Sequence, residues 1–230
     1  MKGTKFSVIG MGKYGKAIAR ILSSRNAEVI AVDIREEMVD DVQDDVAMAV
    51  ALDATDIKAL QSQNIHESDA VVVAIGAFEA LLLCCFQLQE LGAKRIIARA
   101  NDSRQKIILQ KMGMTEILEP ENEIGILVAE QLINPNIVSF LQLPDDYEVA
   151  EIKPPADCSN RTVQDIGLRS KYKLNLITIK RAYEFNEGDQ IRTEEHIIGV
   201  PESDTVIKES DTIIVFGTSQ DIKRFIEINS

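Results

Sequence analysis

The chain has no tryptophan and only two histidines, His66 and His196, in 230 residues. Histidine is the commonest proton-transfer group near neutral pH, so its scarcity narrows the room for acid–base catalysis. No Tyr-x-x-x-Lys pair, no Ser-His-Asp order and no Cys/His metal spacing is present. The three cysteines are Cys84, Cys85 and Cys158. Adjacent cysteines point different ways from a helix, so all three read as small buried apolar residues in a reducing compartment. Positive charge is also short, with 25 Lys and Arg against 37 Asp and Glu, a net charge of −12. That sign repels nucleic acid and anionic lipid. No basic helix-turn-helix is visible, which removes a DNA-binding repressor. No apolar run reaches the roughly 18 residues of a membrane helix. The N-terminus enters the first apolar segment without a charged-then-apolar leader. The expectation is a cytoplasmic protein with no nucleic-acid partner and no direct membrane insertion.

What is present starts at Val8. Val8-Ile9-Gly10-Met11-Gly12-Lys13-Tyr14-Gly15 is followed at a distance by Val29-Ile30-Ala31-Val32-Asp33-Ile34. An apolar strand, a G-x-G-x-x-G turn, a helix, and a second strand ending in an acid form a dinucleotide-binding fingerprint. Gly10 allows the turn out of the strand, Gly12 lets backbone approach phosphate, and Gly15 lets the helix pack closely. The helix N-terminus adds unpaired N–H groups. Asp33 would accept hydrogen bonds from ribose hydroxyls and disfavours a 2′-phosphate.

Strand and helix alternate from Phe6 to Leu118. The continuous apolar run Ala70–Ile75 fits a parallel strand buried on both faces. The expected fold is α/β, a Rossmann-like doubly wound parallel sheet. Such sheets bind ligands at the carboxyl ends of their strands. Asp53-Ala54-Thr55 and Ile75-Gly76 fall there. Thr55 either borders the base or caps the following helix. Lys13 and Arg99 either meet phosphate or are solvated surface charges.

Two helices are apolar all round. One holds Ala80–Phe86; the other starts at Ile124 and continues through Leu132, Ile137, Phe140 and Leu141. One sheet face needs only one apolar stripe, so a second partner is expected, and subunit contact fits better than deep burial. A boundary is placed near Leu143-Pro144-Asp145-Asp146. A small α+β module then restarts at Tyr147, with a helix capped by Thr162, a turn over 186–189 and a closing helix from Asp221. The divisions are 1–121, a helix and linker over 122–143, and 144–230.

These motifs resemble a known family. Gly-Met-Gly-Lys-Tyr-Gly, Val-Ala-Ile-Gly at 73–76, Ala-Arg-Ala at 98–100 and Glu-Pro-Glu-Asn-Glu-Ile-Gly at 119–125 precede Leu168-Arg169-Ser170-Lys171-Tyr172 and a terminal Asp-Ile-Lys-Arg-Phe. The chain resembles, over essentially its whole length, the cytosolic regulatory subunits of Trk/Ktr potassium uptake systems, built from RCK_N and RCK_C domains. The resemblance implies dimers, typically assembled into an octameric ring, on a membrane potassium channel subunit. It implies ATP, ADP or NAD(H) in the sheet domain. It makes the helix holding Ala80–Phe86 the ring contact, and the helix starting at Ile124 a crossover helix. Residue by residue, it implies a nucleotide site at Gly10, Met11, Gly12, Lys13, Tyr14, Gly15, Asp33, Ile34, Asp53, Ala54, Thr55, Ile75, Gly76, Arg99 and Glu121. Glu121 would help hold a cation there. In some relatives the second domain binds cyclic di-AMP, which implicates Arg169 and Lys171 with Ile177 and Pro201. The other function class is an NAD-dependent oxidoreductase with an intersubunit active site.

Overall fold

A computed structural model describes residues 4–187 and 190–230. The chain forms two compact units, Met1–Glu123 and Ile124–Ser230.

The first unit alternates β1 (Lys5–Ile9), α1 (Lys13–Ser24), β2 (Glu28–Asp33), α2 (Glu36–Asp40), β3 (Met48–Ala51), α3 (Ile57–Ser62), β4 (Ala70–Val73), α4 (Phe78–Glu90), β5 (Ile96–Arg99), α5 (Ser103–Lys111) and β6 (Glu116–Leu118). The six strands are all parallel, in the order β3-β2-β1-β4-β5-β6. This is the doubly wound sheet expected. Its central strands are buried on both faces, so they read as unbroken apolar runs such as Val29–Val32 and Ala70–Val73. Val8 of β1 stands between Ala31 and Val72 of its neighbours. Each such buried aliphatic side chain contributes ~1.5–3 kcal/mol. α4 buries Leu81, Cys84, Cys85 and Leu88 against this core and leaves Leu83 and Phe86 exposed on its other face.

The helix α6 (Pro120–Ile133) begins in the first unit and continues into the second. Then come β7 (Ile137–Gln142), β8 (Tyr147–Ile152), β9 (Arg161–Thr162), α7 (Val163–Ile166), α8 (Leu168–Tyr172), β10 (Asn175–Glu187), β11 (Gln190–Ile197), β12 (Val206–Ile207), β13 (Thr212–Thr218) and α9 (Ser219–Asn229). Five strands form an antiparallel sheet in the order β11-β10-β13-β8-β7, beside a β12–β9 pair. Ile152, Ile179, Ile213 and Val215 pack there against Ile222 and Phe225 of α9.

Three expectations change. The apolar helix does not run through Leu141. Pro135 follows Asn134 and disfavours helix at that residue, and Ile137–Gln142 pairs with β8 as a strand. Leu143–Asp146, read as a boundary, is the turn of that β7–β8 hairpin, with Asp145 and Asp146 both at positive φ. The single helix starting at Thr162 is two, broken at Gly167 with φ +68°. Thr162 caps the first, its side chain accepting from the Asp165 N–H. Gly188 and Asp189 of the expected turn lie outside the described residues.

Candidate functional site

The strand order reverses between β1 and β4, so the loops leaving them diverge and open a cleft at the carboxyl edge. A cavity of about 440 Å³ lies there. Its walls are Gly10 and Gly12 after β1, Asp33, Ile34 and Arg35 at the end of β2, Asp53, Ala54 and Thr55 after β3, Ile75 and Gly76 after β4, and Arg99 of β5.

The three glycines do different jobs. Gly10 has φ +97°, and a Cβ there would meet the Ala74 carbonyl at 2.8 Å. At Gly15 a Cβ would fall 1.9 Å from the Gly10 oxygen. Both are required by the fold. At Gly12, φ is −67° and a Cβ would meet nothing within 4 Å. That space is left open to a ligand. Behind it, α1 starts with no side-chain cap and no acid in its first turn, so its leading N–H groups and partial positive charge face the opening.

Asp33, only 8% exposed, ties this turn to β2. Its Oδ2 accepts from the Met11 N–H at 2.7 Å and its Oδ1 from the Arg35 N–H at 3.0 Å. Each oxygen keeps a further lone pair for a ribose hydroxyl. Asp53 Oδ1 accepts from both the N–H and the hydroxyl of Thr55, at 2.9 and 2.7 Å. Those hydrogen bonds hold the Asp53 carboxyl below the usual range. Among the described residues nothing donates to its Oδ2. Thr55 is therefore not the cap of α3; Asp56 is, accepting from the Lys58 N–H at 2.8 Å. Ile34 is 65% exposed beside these acids, an apolar surface suited to a base.

Arg99 brings two further residues to the edge of the cleft. Its guanidinium pairs with Glu121 and lies 5.4 Å over the ring centre of Tyr14. Burial and then the Glu123 carboxylate raise the Tyr14 phenol above its ordinary value.

Met11, Lys13, Tyr14, Gly15 and Glu121 do not line the cavity. The Met11 side chain is buried in the core and offers only its N–H. Lys13 is exposed on the first residue of α1. Among the described residues no cluster of three or more His, Cys, Asp or Glu could hold a metal, so Glu121 stands as a single carboxylate paired to Arg99. Sequence reasoning missed Arg35, whose guanidinium lies 3.6 Å from Asp33 Oδ1. Its signal was its position two residues beyond the ribose acid. It also missed Leu52, Ala77 and Ala80, which carry no polar signal.

The TrkA-N domain family model matches residues 6–120 and the TrkA-C domain family model residues 148–230. This chain belongs to the TrkA-N/TrkA-C family. It is 32% identical over 222 residues to the Ktr system potassium uptake protein C of Bacillus subtilis (strain 168), covering 96% of this chain and 95% of that relative. Among solved structures it resembles the RCK domain of GsuK, with TM-score 0.67, 16% identity, and coverage of 100% of this chain and 48% of that one. It also resembles the GsuK channel bound to NAD, with TM-score 0.65, 16% identity, and coverage of 99% and 39%. At that identity the likeness speaks to fold, and this chain spans less than half of either.

The TrkA-C part of this family member holds the second candidate group. Arg169 and Pro201 line one groove there with Leu168 and Ser170. Lys171 and Ile177 do not line it. The Lys171 ammonium donates to the Asp165 carbonyl at 3.0 Å. The three thiols are buried, which pushes Cys84 well up, Cys85 to about 12 and Cys158 to about 11. They stay protonated and unreactive. No helix among the described residues is long and apolar enough to cross a membrane.

Proposed function

We propose that this chain is the nucleotide-sensing regulatory subunit of a Trk/Ktr-type potassium uptake system, cytoplasmic and docked on a membrane potassium channel subunit. The observation that carries it is the open space over Gly12, faced by the uncapped start of α1 and flanked by Asp33. That arrangement fits a phosphate and a ribose on one ligand. The Asp53 carboxylate, held ionised by Thr55, suits a base that offers an amino group, and Ile34 gives it an apolar face. ATP, ADP and NAD(H) share these parts. The relatives named as Ktr potassium uptake proteins, and a related fold bound to NAD, support the assignment.

The ligand acts here as a signal. It moves a gate only by the free energy with which it prefers one conformation of the assembly. The titratable groups lining the cleft among the described residues are Asp33, Asp53, Arg35 and Arg99, with no histidine, cysteine or lysine among them. Assembly fits the unpartnered faces. α6 buries no residue of its own, and Ile124, Leu132 and Ile133 are among its exposed side chains, with Leu132 77% exposed. We assign this helix to the dimer contact, and the Leu83 and Phe86 face of α4 to the ring.

Calorimetric titration of ATP, ADP and NADH, with oligomer mass measured in each state, tests the assignment. Saturable binding by an oligomer is expected, followed by nucleotide-dependent potassium flux with a membrane partner. A monomer indifferent to all three ligands would sink it.

A further inference from the structure

Arg99 sits between two anionic demands. It lines the cleft, yet its charge is already met by Glu121, on the first turn of α6. A guanidinium offers five N–H donors in one plane. One of these nitrogens goes to Glu121, while Nε is buried and no described residue accepts from it. Its Cζ lies 5.4 Å from the centre of the Tyr14 ring, and Tyr14 lies within the glycine turn, between Gly12 and Gly15. The donor set is thus fixed beside the α1 N-terminus and only partly used. The counter-ion is the looser partner: the Glu121 side chain is 59% exposed against 20% for Arg99. Exposed ion pairs are weak, whereas a phosphate offers paired oxygens and a second charge.

We propose that the Arg99–Glu121 pair is a latch that an anionic phosphate opens: the ligand takes the guanidinium from Glu121 and frees the first turn of α6. This rests on the phosphate-ligand assignment of the cleft above. Tyr14 is the positioning residue, keeping the guanidinium plane in place as its partner changes. Glu121 and Glu123 both lie at the α6 N-terminus, where carboxylates are favoured by the helix dipole, so a released Glu121 has a stable position to return to. α6 continues past Glu123 into the second unit. Ligand charge therefore becomes a change at the start of the helix that joins the two units. The latch also means that Glu121 serves a cation only after Arg99 has left it.

The test uses the full chain in EDTA with ADP as probe. Glu121→Gln removes the competitor, so ADP should bind roughly 2–5-fold tighter, the range of an exposed pair. Hydrogen exchange at residues 120–124 of the free variant should match that of ADP-bound wild type and exceed that of free wild type. Arg99→Lys keeps the charge but loses the fork and the stacking, and should weaken ADP while leaving exchange at 120–124 fast with or without ligand. Weaker ADP binding by Glu121→Gln in EDTA, or unchanged exchange at 120–124 on binding, would overturn the latch and leave the nucleotide assignment standing. Absence of ADP binding to wild type would overturn both.

Discussion

The cleft above β1 and the segment around α8 both bring glycine together with basic side chains, but they spend their donors differently. In the cleft, α1 is uncapped, the space over Gly12 is open, and Arg99 Nε has no acceptor among the described residues. Around α8 the neighbouring donors are consumed locally, while Arg169, which lines the groove, is exposed and has no acceptor among the described residues. Lys171 donates to the Asp165 carbonyl, Arg161 to the carbonyls of Asp157 and Asp165, and Ser170 to that of Gly167. The two places differ in how many donors the fold leaves unspent.

The comparison can be broken from either side. The largest expected effect is in the second unit. Asp211 is 2% exposed and accepts from Arg181 twice at 2.7 Å and from the Lys208 N–H at 2.8 Å. Asp211→Ala strands a largely buried guanidinium and should destabilise by about 3–5 kcal/mol in denaturant unfolding, with the cleft unaltered. Next, Gly15→Ala forces a Cβ into the Gly10 carbonyl and should cost about 3 kcal/mol, read as a lowered melting temperature of the first unit. A smaller effect comes from Glu148, whose carboxyl is raised by burial, with Ser219 opposing. A raised acid binds its proton more tightly in the folded state. Its contribution therefore favours folding at low pH and is lost as pH rises from the ordinary carboxylate range through the folded value. Glu148→Gln should flatten that slope and stabilise slightly at neutral pH. The smallest is Arg35→Ala. It frees Asp33 from a neighbouring charge and should strengthen rejection of a 2′-phosphate by roughly 2–5-fold, an exposed-pair effect, in NADH against NADPH titrations.

Much of the first unit was legible because a parallel sheet writes its strands as unbroken apolar runs and its turn as spaced glycines. Gly10, Gly12, Asp33, Asp53 and Gly76 fall on one cleft because that periodicity places them all at carboxyl ends. Met11, Tyr14 and Glu121 were less legible. Their parts are a backbone N–H, a ring under a guanidinium and a counter-ion, and each depends on a partner distant in sequence. Thr55 and Asp56 are adjacent and both fit a cap, so only geometry separates them. The β7 strand was hidden because Ile137-Val138 and Phe140-Leu141 continue the apolar composition of α6 without its period. Pro135 was the available signal. The buried Arg181–Asp211 pair joins two strands' surroundings across a long sequence separation and leaves no local pattern at all.

Gly12→Val is the most direct test of the cleft as a nucleotide site, because the fold does not need glycine there: φ is −67° and a Cβ would meet nothing within 4 Å. Calorimetry with ADP on wild type and variant, beside thermal melts of both, separates binding from folding. The expected result is an unchanged melting temperature without ligand and at least a roughly tenfold loss of ADP affinity, about 1.4 kcal/mol. An unchanged affinity in a folded Gly12→Val chain would contradict it.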